Sequence, residues 1–383
     1  MKLKTSVLLF ACAMAACHQP KQGVITLGSA HPLNGIRVYA MQVYRDKLFV
    51  GGEFDSAGGI RARNIATWDG TKWDSIGGGM RGYPFAFVNA FAVYKGELYA
   101  AGFFYNKTLN ANGIEKWDGS TWSAVGKGVN VYGSIASLAE YNGNLYVTGD
   151  FDSIESKPAH NFAMWNGIEW RALPDSIDGG AEELIVYKNK LYALGNIRFK
   201  NMYYNDGLMT YDGEKWGKVN LGKNFAPTGM WVYNDELYLM GELDWKPFTG
   251  RWNGNSVTPV NLGIDGRVLC TIIYHDKLIV AGLFARAGDK QAHCIAKCDG
   301  TKSEPIPLGF NSTMDTLEKI RKTGFSSGQE VVDSMGNVKF VFSPAELCVS
   351  ALAVYHNQLY VGGTFDSVNG KPITNIVSWY KAE

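Results

Sequence analysis

Aromatic and basic side chains gather in the variable stretches of this chain, between its regular apolar runs. Tyr83, Tyr105, Tyr132, Tyr203 and Trp245 lie there, together with Arg61, Arg81 and Arg198. Flat rings and guanidinium forks are the composition of recognition surfaces, because rings supply rigid contact area and guanidinium groups bind planar anions through two hydrogen bonds. These eight residues are therefore the candidate ligand-binding set. Phe85, Phe199, Tyr204, Arg63 and Lys246 share the same stretches. For any one residue alone, local loop packing is the competing reading.

The case for catalysis is thinner. A repeated "FDS" places Asp55, Asp152 and Asp366 at one equivalent point, and Asp-Ser at the start of a loop commonly caps a turn. Glycoside hydrolysis needs two carboxylates roughly 5 to 9.5 Å apart, and spacing in the chain does not define such a pair. His160 and His293 share a second repeat position, and His275 and His356 a third, so no nucleophile, base and orienting acid assemble from motifs. The stretch "HCIAKC", His293 to Cys298, lacks the second close ligand couple of a structural zinc site. Packed thiols or one disulfide among Cys270, Cys294, Cys298 and Cys348 is the expectation, with no metal and no cofactor.

The elements that position these residues are repeats. Tyr44, Tyr94, Tyr141, Tyr187, Tyr233, Tyr274 and Tyr355 each close an apolar run, at intervals of 41 to 50 residues and one of 81. A short polar turn follows each, as in "YKGEL" and "YNGNL". Next comes a run with glycine, from "LFVGGEF" at Leu48 to "LYVGGTF" at Leu359, and a third run ending in "WDG" or a close variant. A short fourth run completes the unit. Asp-Gly and Asn-Gly are strong hairpin signals, and four antiparallel strands in such a unit make one blade of a β-propeller. The expected fold is all-β: seven blades of four antiparallel strands.

The seventh copy ends at "NIVSWYKAE" without a fourth strand, and "VITLGSAHPLNG", Val24 to Gly35, matches the missing piece. The N-terminal strand is expected to complete the last blade, which would leave no open sheet edge. The 81-residue interval holds an insertion at about 309–347. Within it "STMDTLEKIRKTG" reads as a helix, and "QEVVDSMGNVKFVF" as a hairpin turning at Gly336-Asn337. The insertion and the variable stretches all fall on one rim of the ring, where strand two joins strand three and strand four joins the next blade. Loops on a rigid scaffold are where binding residues concentrate.

The pattern "LYVGGxFDSxxG…NIxxWDGxxW" resembles the propeller repeats of exported bacterial lipoproteins and of the ectodomain of fungal cortical polarity markers. Kelch and galactose-oxidase-like propellers are looser relations. The resemblance covers nearly all of the chain after its leader and implies the propeller fold; it implies little about activity, because propellers host unrelated functions. The copper-ligand set of galactose oxidase is not visible.

The leader "MKLKTSVLLFACAMAAC" has two lysines, a ten-residue apolar stretch from Val7 to Ala16, and small residues before Cys17. That stretch is half the length needed to cross a bilayer and reads as a signal peptide. Met14-Ala15-Ala16-Cys17 resembles a lipobox, which implies lipidation at Cys17. The expected organisation is a signal over 1–16, a lipidated cysteine and tether over 17–22, and one propeller over 23–383. Without Lys2 and Lys4 the chain, formally +1 as a whole, stays close to neutral, so nucleic acid is not an expected partner. The functional expectation is a lipid-anchored protein of the bacterial envelope, on the periplasmic face or the cell surface. It would bind or scaffold a glycan or an envelope protein through the loop-rich rim. The alternative is a polysaccharide hydrolase or lyase using carboxylates on the same rim.

Overall fold

The computed structural model describes residues 37–82, 86–174, 177–200, 207–222, 224–311, 329–332, 338–341, 348–373 and 375–379. Its second strands have no exposed face: Leu48 to Gly52 are five successive buried residues within Lys47–Glu53, and Gln358–Thr364 repeats the pattern. Burial on both faces requires a sheet on each side, and adjacent blades supply it. A β-carbon at Gly51 would lie 2.7 Å from Val88 Cγ1 on the next blade; one at Gly362 would lie 2.7 Å from Val38 Cγ1. The two glycine-rich runs therefore serve the same close approach, at the junction of blades one and two and at the junction of blades seven and one.

Seven first strands, Arg37–Tyr44, Phe87–Tyr94, Ser134–Tyr141, Ile177–Tyr187, Phe225–Tyr233, Arg267–Tyr274 and Cys348–Tyr355, each open a blade around a common axis. Blades one to six are four-stranded antiparallel sheets. Among the described residues blade seven holds three strands, Cys348–Tyr355, Gln358–Thr364 and Ile376–Trp379. The expected closing strand within Val24 to Gly35 lies outside the described residues. The fold is all-β, a seven-bladed propeller, with no helix among the described residues.

The core is divided into seven apolar slabs, each between two adjacent blades. One of them joins Ala351, Ala353 and Tyr360 of blade seven to Val38, Leu48 and Val50 of blade one, so the ring closes. The tyrosine that marks each repeat has a junction role. At five of the seven junctions its hydroxyl donates to a carbonyl in the tight turn of the next blade: Tyr44 to Gly96, Tyr94 to Gly143, Tyr141 to Asn189, Tyr274 to Asn357 and Tyr355 to Asp46. Those turns carry two left-handed residues, for example Arg45 and Asp46 with φ of 45° and 55°, the type I′ geometry that matches strand twist.

Every first strand shifts register at the same place. The extra residues are Tyr39, Asn89, Ala136, Glu182, Thr228, Leu269 and Ser350. Bulges re-aim side chains, and two of these reach the neighbouring inner strand: Asn89 Nδ2 donates to the Ile135 carbonyl at 3.2 Å, and the Ser350 hydroxyl donates to that of Val38.

The long interval begins inside the fold. Phe310–Asn311 pairs with Ser367–Val368, and Phe310 is fully buried with its ring 4.7 Å from Phe365. Further on, Gln329–Val332 and Val338–Val341 pair antiparallel. The turn between them and the helix expected from Ser312 to Gly324 lie outside the described residues.

Candidate functional site

The loops joining strands two and three in blades one, three, six and seven are miniature hairpins, such as Ser56–Ala57 with Ile60–Arg61. In three of them an asparagine in left-handed conformation locks the base. Asn64, Asn161 and Asn375 each accept, through Oδ1, the backbone N–H of the phenylalanine ten residues earlier. The "FDS" aspartates take part through their backbone: the carbonyls of Asp55, Asp152 and Asp366 accept the N–H groups of Ala62, Ala159 and Ile373. Such loops are rigid. Asn64 also reaches across a blade junction, donating to the Met80 carbonyl at 2.9 Å, and so fixes the loop that carries Arg81.

That loop is one wall of a cleft of about 590 Å³. Gly77 to Gly82, with Arg81, form the first wall, and the long hairpin of blade two, Tyr105 to Leu109, forms the second. The backbone N–H of Tyr105 donates to the Arg81 carbonyl at 2.6 Å, which ties the walls together. Glu115, on the third strand Ala111–Trp117, lines the interior. It is 1% exposed, and neither carboxylate oxygen makes a well-formed hydrogen bond, although the Asn106 side chain lies close enough to favour its charge. Burial pushes its carboxyl up from 4.5 to about 7, and Asn106 offsets this only in part. An unpartnered buried carboxyl costs stability. By strand register its counterparts are Ala66, Ala163, Met209, Gly250, Ala296 and Val377. Six blades place a small or apolar residue where blade two places an acid.

A basic cluster adjoins the cleft. The Arg63 guanidinium is pushed below its ordinary value, first by partial desolvation and then by the charges of Arg81 and Arg61, with Asp55 opposing. The backbone joins the same groups, since Met80 N–H donates to the Arg63 carbonyl at 2.9 Å. Among the described residues none of the three arginines has an ion pair. Three guanidinium groups with Asp55 as the one opposing charge acting on Arg63 leave a net positive cluster suited to an anion.

The remaining candidates are dispersed. Trp245 is at the tip of the blade-five hairpin between Glu236–Leu243 and Lys246–Trp252. It is 92% exposed at a φ of 63°, a conformation unusual for a bulky residue. It overhangs a separate cleft of about 390 Å³ with Asn224, Glu242 and Asp244. Tyr132 projects from the loop between blades two and three, 83% exposed. Arg198 faces Asp178 at 3.6 Å within blade four. Tyr83, Tyr203 and Cys17 lie outside the described residues. The structure thus brings together Arg61, Arg81 and Tyr105, and places Trp245, Tyr132 and Arg198 elsewhere.

Two buried acids were not among the sequence candidates. Glu115 is one. The other, Glu183, sits on the wall of the axial cavity of about 360 Å³ with Met230, Trp231 and Cys270. It is enclosed by protein although part of its surface meets the cavity. Burial raises its carboxyl to about 8, against the Met230 N–H and the charge of Arg267, and Glu182 adds to the rise. Its register counterparts are Ala40, Ala90, Ser137, Gly229, Cys270 and Ala351. Comparing copies column by column, instead of seeking acids that recur, exposes both as departures from the repeat.

Cys270, Cys294 and Cys298 are not joined to one another by a disulfide, and burial pushes the Cys298 thiol up to about 11. Among the described residues no three His, Cys, Asp or Glu side chains converge as a metal site would require.

No protein-family model matches the sequence, and no curated protein is significantly similar to it. Solved propellers are similar in fold. YCF48 bound to a D1 peptide aligns over 96% of this chain and 96% of its own, at 11% identity and a TM-score of 0.53. YCF48 from Cyanidioschyzon merolae aligns over 93% and 98%, at 9% identity and a TM-score of 0.50. At such identity the likeness bears on the fold alone.

Proposed function

We propose that this protein is a lipid-anchored binding or scaffold component of a bacterial envelope, holding a glycan or an envelope protein on the loop-rich rim of its propeller. The observation that carries the reading is the cleft between blades one and two. Arg81 and Tyr105, from different blades, are joined there by a backbone hydrogen bond beside a buried acid without a partner. A rigid ring that departs from its repeat at a polar cleft fits recognition. Among the described residues Glu115 is the one carboxyl lining that cleft, whereas hydrolysis of a glycosidic bond uses two. The YCF48 propeller with its D1 peptide is an instance of the fold serving recognition. Anchoring rests on the sequence around Cys17.

The test is a glycan array and an envelope pull-down with the soluble chain from Gly23, in the wild type and with Arg81→Gln and Tyr105→Ala combined. Capture of a glycan or protein that the double variant loses is expected. Absence of any ligand in both assays, or full retention by the variant, would remove the rim from consideration.

A further inference from the structure

Two features of the blade-one to blade-two junction point to different parts of one ligand. The cluster of Arg61, Arg63 and Arg81 has no ion pair among the described residues and calls for an anion. The cleft interior, with both oxygens of Glu115 unpartnered, calls for hydrogen-bond donors. Arg81 belongs to both. The donors must be uncharged, because an ammonium group would sit beside three guanidinium groups. Neutral donors next to an anionic group, in a cleft that also presents Tyr105 and the partly buried ring of Trp122, describe a sugar ring with free hydroxyls and an acid substituent.

Resting on the binding role proposed above, we infer that this junction takes an acidic sugar residue of a polysaccharide, its carboxylate or sulfate on the arginines and its hydroxyls on Glu115. The arginines alone would accept any anion, and Glu115 alone any donor. Their adjacency selects a group that has both. On this reading a residue that destabilises the empty protein gains its partner when the sugar enters.

The experiment titrates the soluble chain from Gly23 with tetrasaccharides of galacturonate, of alginate and of chondroitin sulfate, each against its carboxyl-reduced or desulfated counterpart. At least one acidic member should bind tenfold or more tightly than its neutral counterpart, and the identity of that member separates carboxylate from sulfate recognition. Arg81→Gln should abolish the preference. Glu115→Ala, which installs the residue that three other blades carry, should weaken both members of the pair tenfold while the far-ultraviolet spectrum is unchanged. Equal affinity within every pair, or a preference that survives Arg81→Gln, would overturn the inference. Capture of an envelope protein without any of these sugars would overturn it too, while leaving the binding role standing.

Discussion

The Tyr355 hydroxyl donates to the Asp46 carbonyl at 2.9 Å, joining residues 309 positions apart. His356 Nε2 lies 3.0 Å from Asp46 Oδ1 at the same seam. These contacts, with the apolar slab behind them, close blade seven on blade one. Tyr355→Phe keeps the ring and removes the donor, so it should lower unfolding free energy by about 0.5–1.5 kcal/mol, or more where the Asp46 carbonyl stays dry. Denaturant titration measures this; a change below about 0.3 kcal/mol would show that the hydrogen bond does not hold the seam.

Acid should weaken the turns between third and fourth strands. The Asp69 and Asp299 carboxylates are held down from 3.8 to about 2, chiefly by the hydroxyls of Thr71 and Thr301 and then by backbone N–H groups. Asp118 and Asp212 are lowered mainly by backbone N–H groups. A carboxylate depressed in the folded state contributes stability above its unfolded value, and that contribution is lost as pH falls through the folded value. The denaturation midpoint should therefore drop between pH 4 and 2. Asp69→Asn with Asp299→Asn keeps the turn acceptors and removes two titrations, so its decline should be shallower; an identical slope would refute the assignment.

Glu115 works in the opposite sense. Its folded value of about 7 exceeds the ordinary 4.5, so the folded protein binds the extra proton and stability falls as pH rises from 4.5 through 7. The loss is on the order of 3 kcal/mol at pH 8. Glu115→Ala should flatten that part of the stability profile and raise stability at pH 8. A variant less stable than wild type at pH 8 would mean that the carboxyl has a partner.

Much of the ring was legible in the sequence. Tyr44 and its six equivalents, the glycines of Leu48 to Gly52, and Asp-Gly turns such as Asp69-Gly70 report local requirements, because each copy must meet its neighbour in the same way. The candidate site was legible only in part. Arg81 and Tyr105 stood out by composition, yet nothing in their spacing joined them, since the bond between them is made by backbone atoms across a blade junction. Glu115 sits in a strand whose apolar pattern hid it, and its meaning depends on what the other six blades place there.

Phe310, at the start of the long interval, pairs with Val368, a contact that is not local in the sequence. Removing residues 312–347 behind a Gly-Ser linker should leave folding cooperative, since loop closure changes by only about 0.6 kcal/mol per doubling of length. A deletion that includes Phe310 should cost roughly 3–5 kcal/mol more, the effect of emptying a buried phenylalanine site. Thermal unfolding of the two deletion variants separates them; equal stability would show that Phe310 does not belong to the core of blade seven.

The hand-off from a repeat tyrosine to the next tight turn has a consequence for how such a ring changes over time. Five of the seven junctions use this same donor and acceptor, so the bond itself does not encode the number seven. Blade count is a property of the circle, fixed by the rotation from each sheet to the next. A duplicated unit would find its hydrogen bond waiting on either side. What it would strain is the curvature, shared thinly among all the slabs, and a molecule built this way can be renumbered without being redesigned.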